Sequence, residues 1–159
     1  MILICTGTPG TGKTELSKEL AKQLKIKYVD VNKIIDKEKL AESYDENRET
    51  LVVDEKKLAK ALIAHTKKNK NMIIDSHMSH ELPAKHADWC IITRCDPATL
   101  RKRLVRKGYP KEKVQENVDA EILNICLDEA EQKGHKLVVV NTTRQSAKKI
   151  AARLKKLFS

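Results

Sequence analysis

The sequence has no apolar run of the length a bilayer-spanning helix needs, and its first apolar stretch is broken by Thr6 and Gly7 before a secretory leader core forms. No membrane association is expected, and the protein reads as cytoplasmic. Its four cysteines, Cys5, Cys90, Cys95 and Cys126, make no Cys-x-x-Cys pair. That removes the usual zinc and dithiol spacings and leaves reduced packing residues. Internal repeats, low-complexity tracts and linkers are missing too, so 159 residues are expected to form one domain. Acidic charge is short: 22 Asp and Glu face 32 Lys and Arg, a net charge of +10. Such a balance suits an RNA or ribosomal partner, but the lysines are spread over almost every helical segment, as on the solvated surface of a heat-adapted protein. The solvated surface is the stronger of the two readings. One real cluster stands out, "RKRLVRKGYPKEK" from Arg101 to Lys113, with seven basic residues and one acidic residue.

What is present begins with "GTPGTGKT", Gly7 to Thr14, directly after the apolar run Ile2 to Cys5. The spacing Gly-x-x-x-x-Gly-Lys-Thr lets backbone N–H groups turn inward around phosphates, with Lys13 reaching the terminal phosphates and the Thr14 hydroxyl offered to Mg²⁺. The following "KTELSKELAKQLK" places Leu16, Leu20 and Leu24 at helical spacing. A phosphate would therefore sit at a helix N-terminus, where the macrodipole adds to the loop donors.

Further apolar runs recur at Tyr28–Val31, Asn71–Asp75, Trp89–Thr93 and Lys136–Val140. Helical patterns separate them: Lys13–Lys25, a weaker one at Asn32–Ala41, then Glu55–Lys68, Pro97–Lys107, Lys111–Gln132 and Ser146–Leu157. Alternation of this kind predicts an α/β fold, a parallel sheet covered on both faces, with ligands bound beyond the carboxyl ends of the strands. Gly7, Asp30, Asp75 and Thr93 would gather there. The stretch Glu42–Val53 is the least regular and reads as an exposed insertion.

A phosphate loop needs an acid on a neighbouring strand to hold the metal or its water. "NMIIDSH" supplies Asp75, and His77 points the same way if the strand continues. The histidines of "HMSHELPAKH" (His77, His80, His86) make a weak zinc pattern, because no cysteine or fixed third ligand accompanies them and Pro83 breaks the helix that would align them. In the basic cluster, Arg103, Arg106 and Lys107 precede Gly108-Tyr109, and Pro110 opens a new helix. This is a helix hairpin with cations at its tip, either a short lid closing over phosphates or a basic helix end satisfying its own carbonyls. The upstream phosphate loop favours the lid.

Taken together, "GTPGTGKT", "IIDSH" and the late "RLVRKGY" followed by a helix resemble the adenylate kinase isoenzyme 6 family, the archaeal and eukaryotic group that includes the coilin-interacting nuclear ATPase. The resemblance spans Ile2 to Leu157. It implies a three-layer P-loop NTPase fold of the nucleoside monophosphate kinase type with a five-stranded parallel sheet. It also implies Mg²⁺-dependent phosphoryl transfer from ATP to AMP, ATPase activity, and a role in maturing the small ribosomal subunit through a platform ribosomal protein and small-subunit rRNA. On this resemblance Gly10, Gly12, Lys13, Thr14 and Glu15 bind ATP, while Thr14 and Asp75 serve the metal. Lys13, Asp75 and His77 carry catalysis, and Arg103, Arg106 and Lys107 complete the ATP contacts. An NMP-binding segment at about residues 30–53 and a lid at about 106–116 are implied as well. Lys107 stands where relatives often have Arg, which is not an equivalent fork. The NMP segment offers Lys33, Lys37 and Arg48 without an arginine pair. A kinase of another small molecule, or an ATP-switched assembly factor, are the rival expectations.

Overall fold

The computed structural model describes residues 1–46 and 50–159. Each apolar run forms a parallel strand: β1 (Ile2–Thr6), β2 (Lys27–Asp30), β5 (Met72–Asp75), β6 (Trp89–Arg94) and β7 (Leu137–Asn141). They form a five-stranded sheet in the order β2-β5-β1-β6-β7, every pairing parallel. Two further strands, β3 (Ala41–Asp45) and β4 (Thr50–Val53), pair separately.

Helices cover both faces. On one side Ile2, Ile4, Met72, Ile74, Cys90 and Ile92 pack against α2 (Val31–Lys37), α3 (Glu55–Lys68) and α6 (Ile125–Gln132). On the other, Leu3, Cys5, Ile73 and Ile91 meet α1 (Lys13–Leu24) and α7 (Ala147–Phe158). The strands need apolar residues at consecutive positions because both faces are buried, which is why their sequences run apolar instead of alternating. A third, smaller core of Cys95, Leu100, Leu104, Val114 and Val118 joins α4 (Pro97–Arg106) to α5 (Lys111–Ile122). No helix among the described residues is long and apolar enough to cross a membrane.

The register aligns Cys5 and Asp30 with Asp75, and Thr6 with Ile92. Gly7, Asp30, Asp75 and Thr93 thus gather at one edge of the sheet, as expected. Three local expectations change. The run Lys111–Gln132 is two helices, because Asn124 adopts a left-handed conformation (φ 58°) that no right-handed helix can contain. The weak pattern at Asn32–Ala41 yields only α2, capped by the Asp30 carboxylate accepting from the Asn32 N–H at 2.9 Å. The supposedly irregular stretch at 42–53 contributes the β3–β4 antiparallel hairpin, whose register shifts between Ala41 and Ser43 and so blurs any alternation in the sequence. Arg48 lies outside the described residues.

Candidate active site

Between β1 and α1 the loop needs backbone angles that side chains resist. Gly10 sits at φ 89°, and a Cβ there would meet Leu104 Cδ2 at 2.8 Å and Leu100 Cδ1 at 2.9 Å. Gly12, at φ 87°, precedes α1, and no side chain caps that helix. The first N–H groups of α1 are thereby left for a ligand. Lys13 folds back over the loop, its Nζ donating to the Thr8 carbonyl at 3.1 Å. Burial pushes its ammonium below the ordinary value, while Cys5 and Asp75 work the other way.

Asp75 closes β5 and is buried. The Thr14 hydroxyl donates to its Oδ2 at 2.7 Å, and the Tyr28 hydroxyl donates to the same oxygen at 2.8 Å. Oδ1 is buried without a protein partner. A shielded, orphaned carboxylate oxygen beside a threonine hydroxyl suits a hard divalent cation or its water. No cluster of three metal-ligating side chains exists among the described residues. A Mg²⁺ held here would accordingly arrive with the phosphates of its ligand.

The strand does not continue to His77 as the sequence reading required. β5 ends at Asp75, and the next residues turn: the Ser76 N–H donates to the Cys5 carbonyl at 3.2 Å, and the Met78 N–H to Ser76 Oγ at 3.0 Å. The turn still delivers His77 to the same cavity as Asp75. Its imidazole is held down to about 4 by the surrounding protein first, then by Lys13, His80 and Lys113, so it is neutral near pH 7. His80 instead is built into the core, with Nδ1 2.9 Å from Thr6 Oγ1 and Nε2 2.9 Å from Glu129. Among the described residues His77, His80 and His86 are not gathered into a group of three that could hold a metal ion.

The helix hairpin lies beside the phosphate loop. Arg103 Nη1 donates to Thr142 Oγ1 at 3.0 Å and to the Gly10 carbonyl at 3.5 Å, and Nη2 donates to the Thr142 carbonyl at 2.8 Å. Thr142 in turn donates to the Thr11 carbonyl at 2.7 Å. Arg103 therefore bolts α4 to the loop, while Arg106 and Lys107 are exposed at the hairpin tip.

Two cavities meet at Lys13. The first, about 640 Å³, is lined by Gly10, Gly12, Lys13, Thr14, Arg103 and Lys107, with Arg106 and exposed Glu15 also on its wall. The second, about 650 Å³, is lined by Gly10, Lys13, Thr14, Asp75, His77 and Lys107, and reaches Tyr44 and Leu51 of the hairpin. The structure thus brings Gly10, Gly12, Lys13, Thr14, Glu15, Asp75, His77, Arg103, Arg106 and Lys107 around these two cavities. It adds Tyr28 and Thr142, and places Tyr109 of the Gly-Tyr turn on the wall of the second. Tyr28 and Thr142 come from distant strand ends, and no local motif marks the contribution of either. Lys33 and Lys37 are exposed on α2 and line neither cavity.

A parallel sheet in this order, with a glycine-rich loop entering α1 and an acid on the adjacent strand, defines a P-loop protein of kinase architecture. Residues 2–124 match the family model described as the AAA domain. A Methanocaldococcus jannaschii protein named "Putative adenylate kinase" is 40% identical over 150 residues, covering 94% of this chain and 81% of its own. A Methanosarcina acetivorans protein of the same name is 37% identical over 164 residues, covering 99% and 86%. The chain belongs to the AAA-domain family and to the archaeal family whose members carry that name. Among solved structures, shikimate kinase from Acinetobacter baumannii in complex with shikimate matches with a TM-score of 0.69 at 14% identity, covering 99% of this chain and 92% of that one. At that identity the likeness speaks for the fold.

Proposed function

We propose that this protein is a nucleoside monophosphate kinase that transfers the γ-phosphoryl group of ATP to AMP, with ATP hydrolysis as a side reaction. The observation that carries the reading is the pair of cavities meeting at Gly10, Lys13, Thr14 and Lys107. Two substrates placed in them would present a donor phosphate and an acceptor on either side of one cation. The loop N–H groups and Lys13 hold the donor phosphates, and Lys13, Lys107 and Arg106 offset charge on the transferring group. Thr14 and Asp75 would hold a Mg²⁺ that arrives with ATP, or its water, and that ion would supply charge neutralisation at the phosphate oxygens. His77 acts as a neutral hydrogen-bonding neighbour. Catalysis here is mainly positioning and charge stabilisation, so no general base is required.

On this reading α2 and the β3–β4 hairpin form the acceptor segment at 30–53, and residues 106–116 form the lid of a single domain. Archaeal relatives bearing the adenylate kinase name support the choice of AMP. The test is a panel of acceptors with Mg·ATP: AMP, the other nucleoside monophosphates and shikimate. ADP formation with AMP is expected, and formation with shikimate alone would move the reading to a kinase of another small molecule. We extend the proposal to a cytoplasmic role in small-subunit maturation with a platform ribosomal protein and small-subunit rRNA, which the resemblance to the adenylate kinase isoenzyme 6 family implies and with which a net charge of +10 is compatible. RNA binding that weakens steeply with salt is expected, and a flat or absent signal would remove that role.

A further inference from the structure

The Tyr28 ring needs no hydroxyl to pack. It is half-buried in the core that faces α1 and α7, alongside Met1, Leu24, Ile26 and Trp89, and a phenylalanine would fill the same space. The hydroxyl instead reaches Asp75 Oδ2 at 2.8 Å, where Thr14 also donates at 2.7 Å. Two O–H donors on one carboxylate oxygen hold the Asp75 carboxyl in a single rotation about its side chain. The carboxyl cannot turn out of this plane without losing both bonds, and its other oxygen, Oδ1, is buried without a partner. Thr14 is also the residue the phosphate loop commits to the metal. Among the described residues the Tyr28 hydroxyl, as distinct from its ring, is therefore a donor whose task is the orientation of Asp75.

We infer that Tyr28 is a positioning residue that holds the Asp75 carboxyl in the orientation in which it serves the Mg²⁺ of bound Mg·ATP. The inference rests on the nucleotide-binding reading above. Removing the outer partner of a metal-serving carboxylate costs about tenfold or more in metal affinity.

The experiment is calorimetric titration with ATP, with and without Mg²⁺, of wild type, Tyr28→Phe, Asp75→Asn and the double variant, with melting temperatures measured alongside. Tyr28→Phe is expected to keep the Mg²⁺-free ATP affinity and the melting temperature. Its Mg²⁺-dependent gain in affinity is expected to fall about tenfold, with no further loss when Asp75→Asn is already present. A gain within about twofold of wild type overturns the inference. So does an equal loss in the Asp75→Asn background, or a parallel fall in Mg²⁺-free affinity and melting temperature, which would mark a packing role. Wild type that binds no ATP at all would instead overturn the nucleotide-binding reading, so the two failures are told apart by the wild-type arm.

Discussion

At the scale of single residues, the site turns on Lys13 and the glycine geometry around it. Lys13→Ala removes the one full positive charge within the loop, and kcat is predicted to fall by about 10²- to 10³-fold while the fold is retained, as checked by steady-state kinetics beside circular dichroism. Gly10→Ala is predicted to act on the fold as well. Its Cβ would press on Leu100 and Leu104 at a left-handed φ, so α4 must shift, at a cost of about 1–3 kcal/mol readable from the urea midpoint. Lys13, Thr14 and Asp75 were legible in the sequence because the loop motif is local and a lone acid closing a buried run is conspicuous. Tyr28 and Thr142 were not. Their roles follow from strand register, which sets Asp30 beside Asp75, and from β7 lying across β6 from the loop, and neither is encoded within a local window.

At the scale of elements, apolar runs located all five strands of the main sheet to within a residue or two, because strands buried on both faces have little freedom of composition. The helix pattern failed where one residue outweighed periodicity. Asn124 turns the expected helix into α5 and α6, leaving Ile122, Leu123 and Ile125 exposed around the break. The same physics gives a test at the end of α1, where Lys25 closes the helix at φ 57°. Lys25→Gly relieves a left-handed Cβ and is predicted to raise stability by about 1 kcal/mol, less the added freedom of glycine in the unfolded chain, as a higher urea midpoint. The antiparallel pair β3–β4 escaped the sequence reading because an exposed two-stranded ribbon needs no apolar stripe.

At the scale of the whole molecule, stability has a pH dependence that the core imposes. His80 is buried, and burial pushes its pKa below the ordinary 6.5 even though Glu129 and Glu81 pull upward. Unfolded chains bind a proton near 6.5 that the folded protein resists. Stability therefore rises with pH below that value and falls as pH drops through it. The melting temperature is predicted to fall between pH 7.5 and pH 5.5, and His80→Gln is predicted to flatten the slope relative to wild type. Buried Glu121, whose carboxyl burial pushes upward, contributes equally to both proteins and cancels in that comparison.

The central claim, that two cavities around Lys13 serve phosphoryl transfer between nucleotides, is tested most directly by product stoichiometry. Mg·ATP is supplied with and without AMP, and ADP and free phosphate are followed in wild type and Lys13→Ala. The account predicts two ADP for each ATP consumed, dependence on AMP, no matching release of phosphate, and loss of turnover in the variant. Phosphate released at the same rate whether or not AMP is present, without ADP formed from AMP, would contradict it.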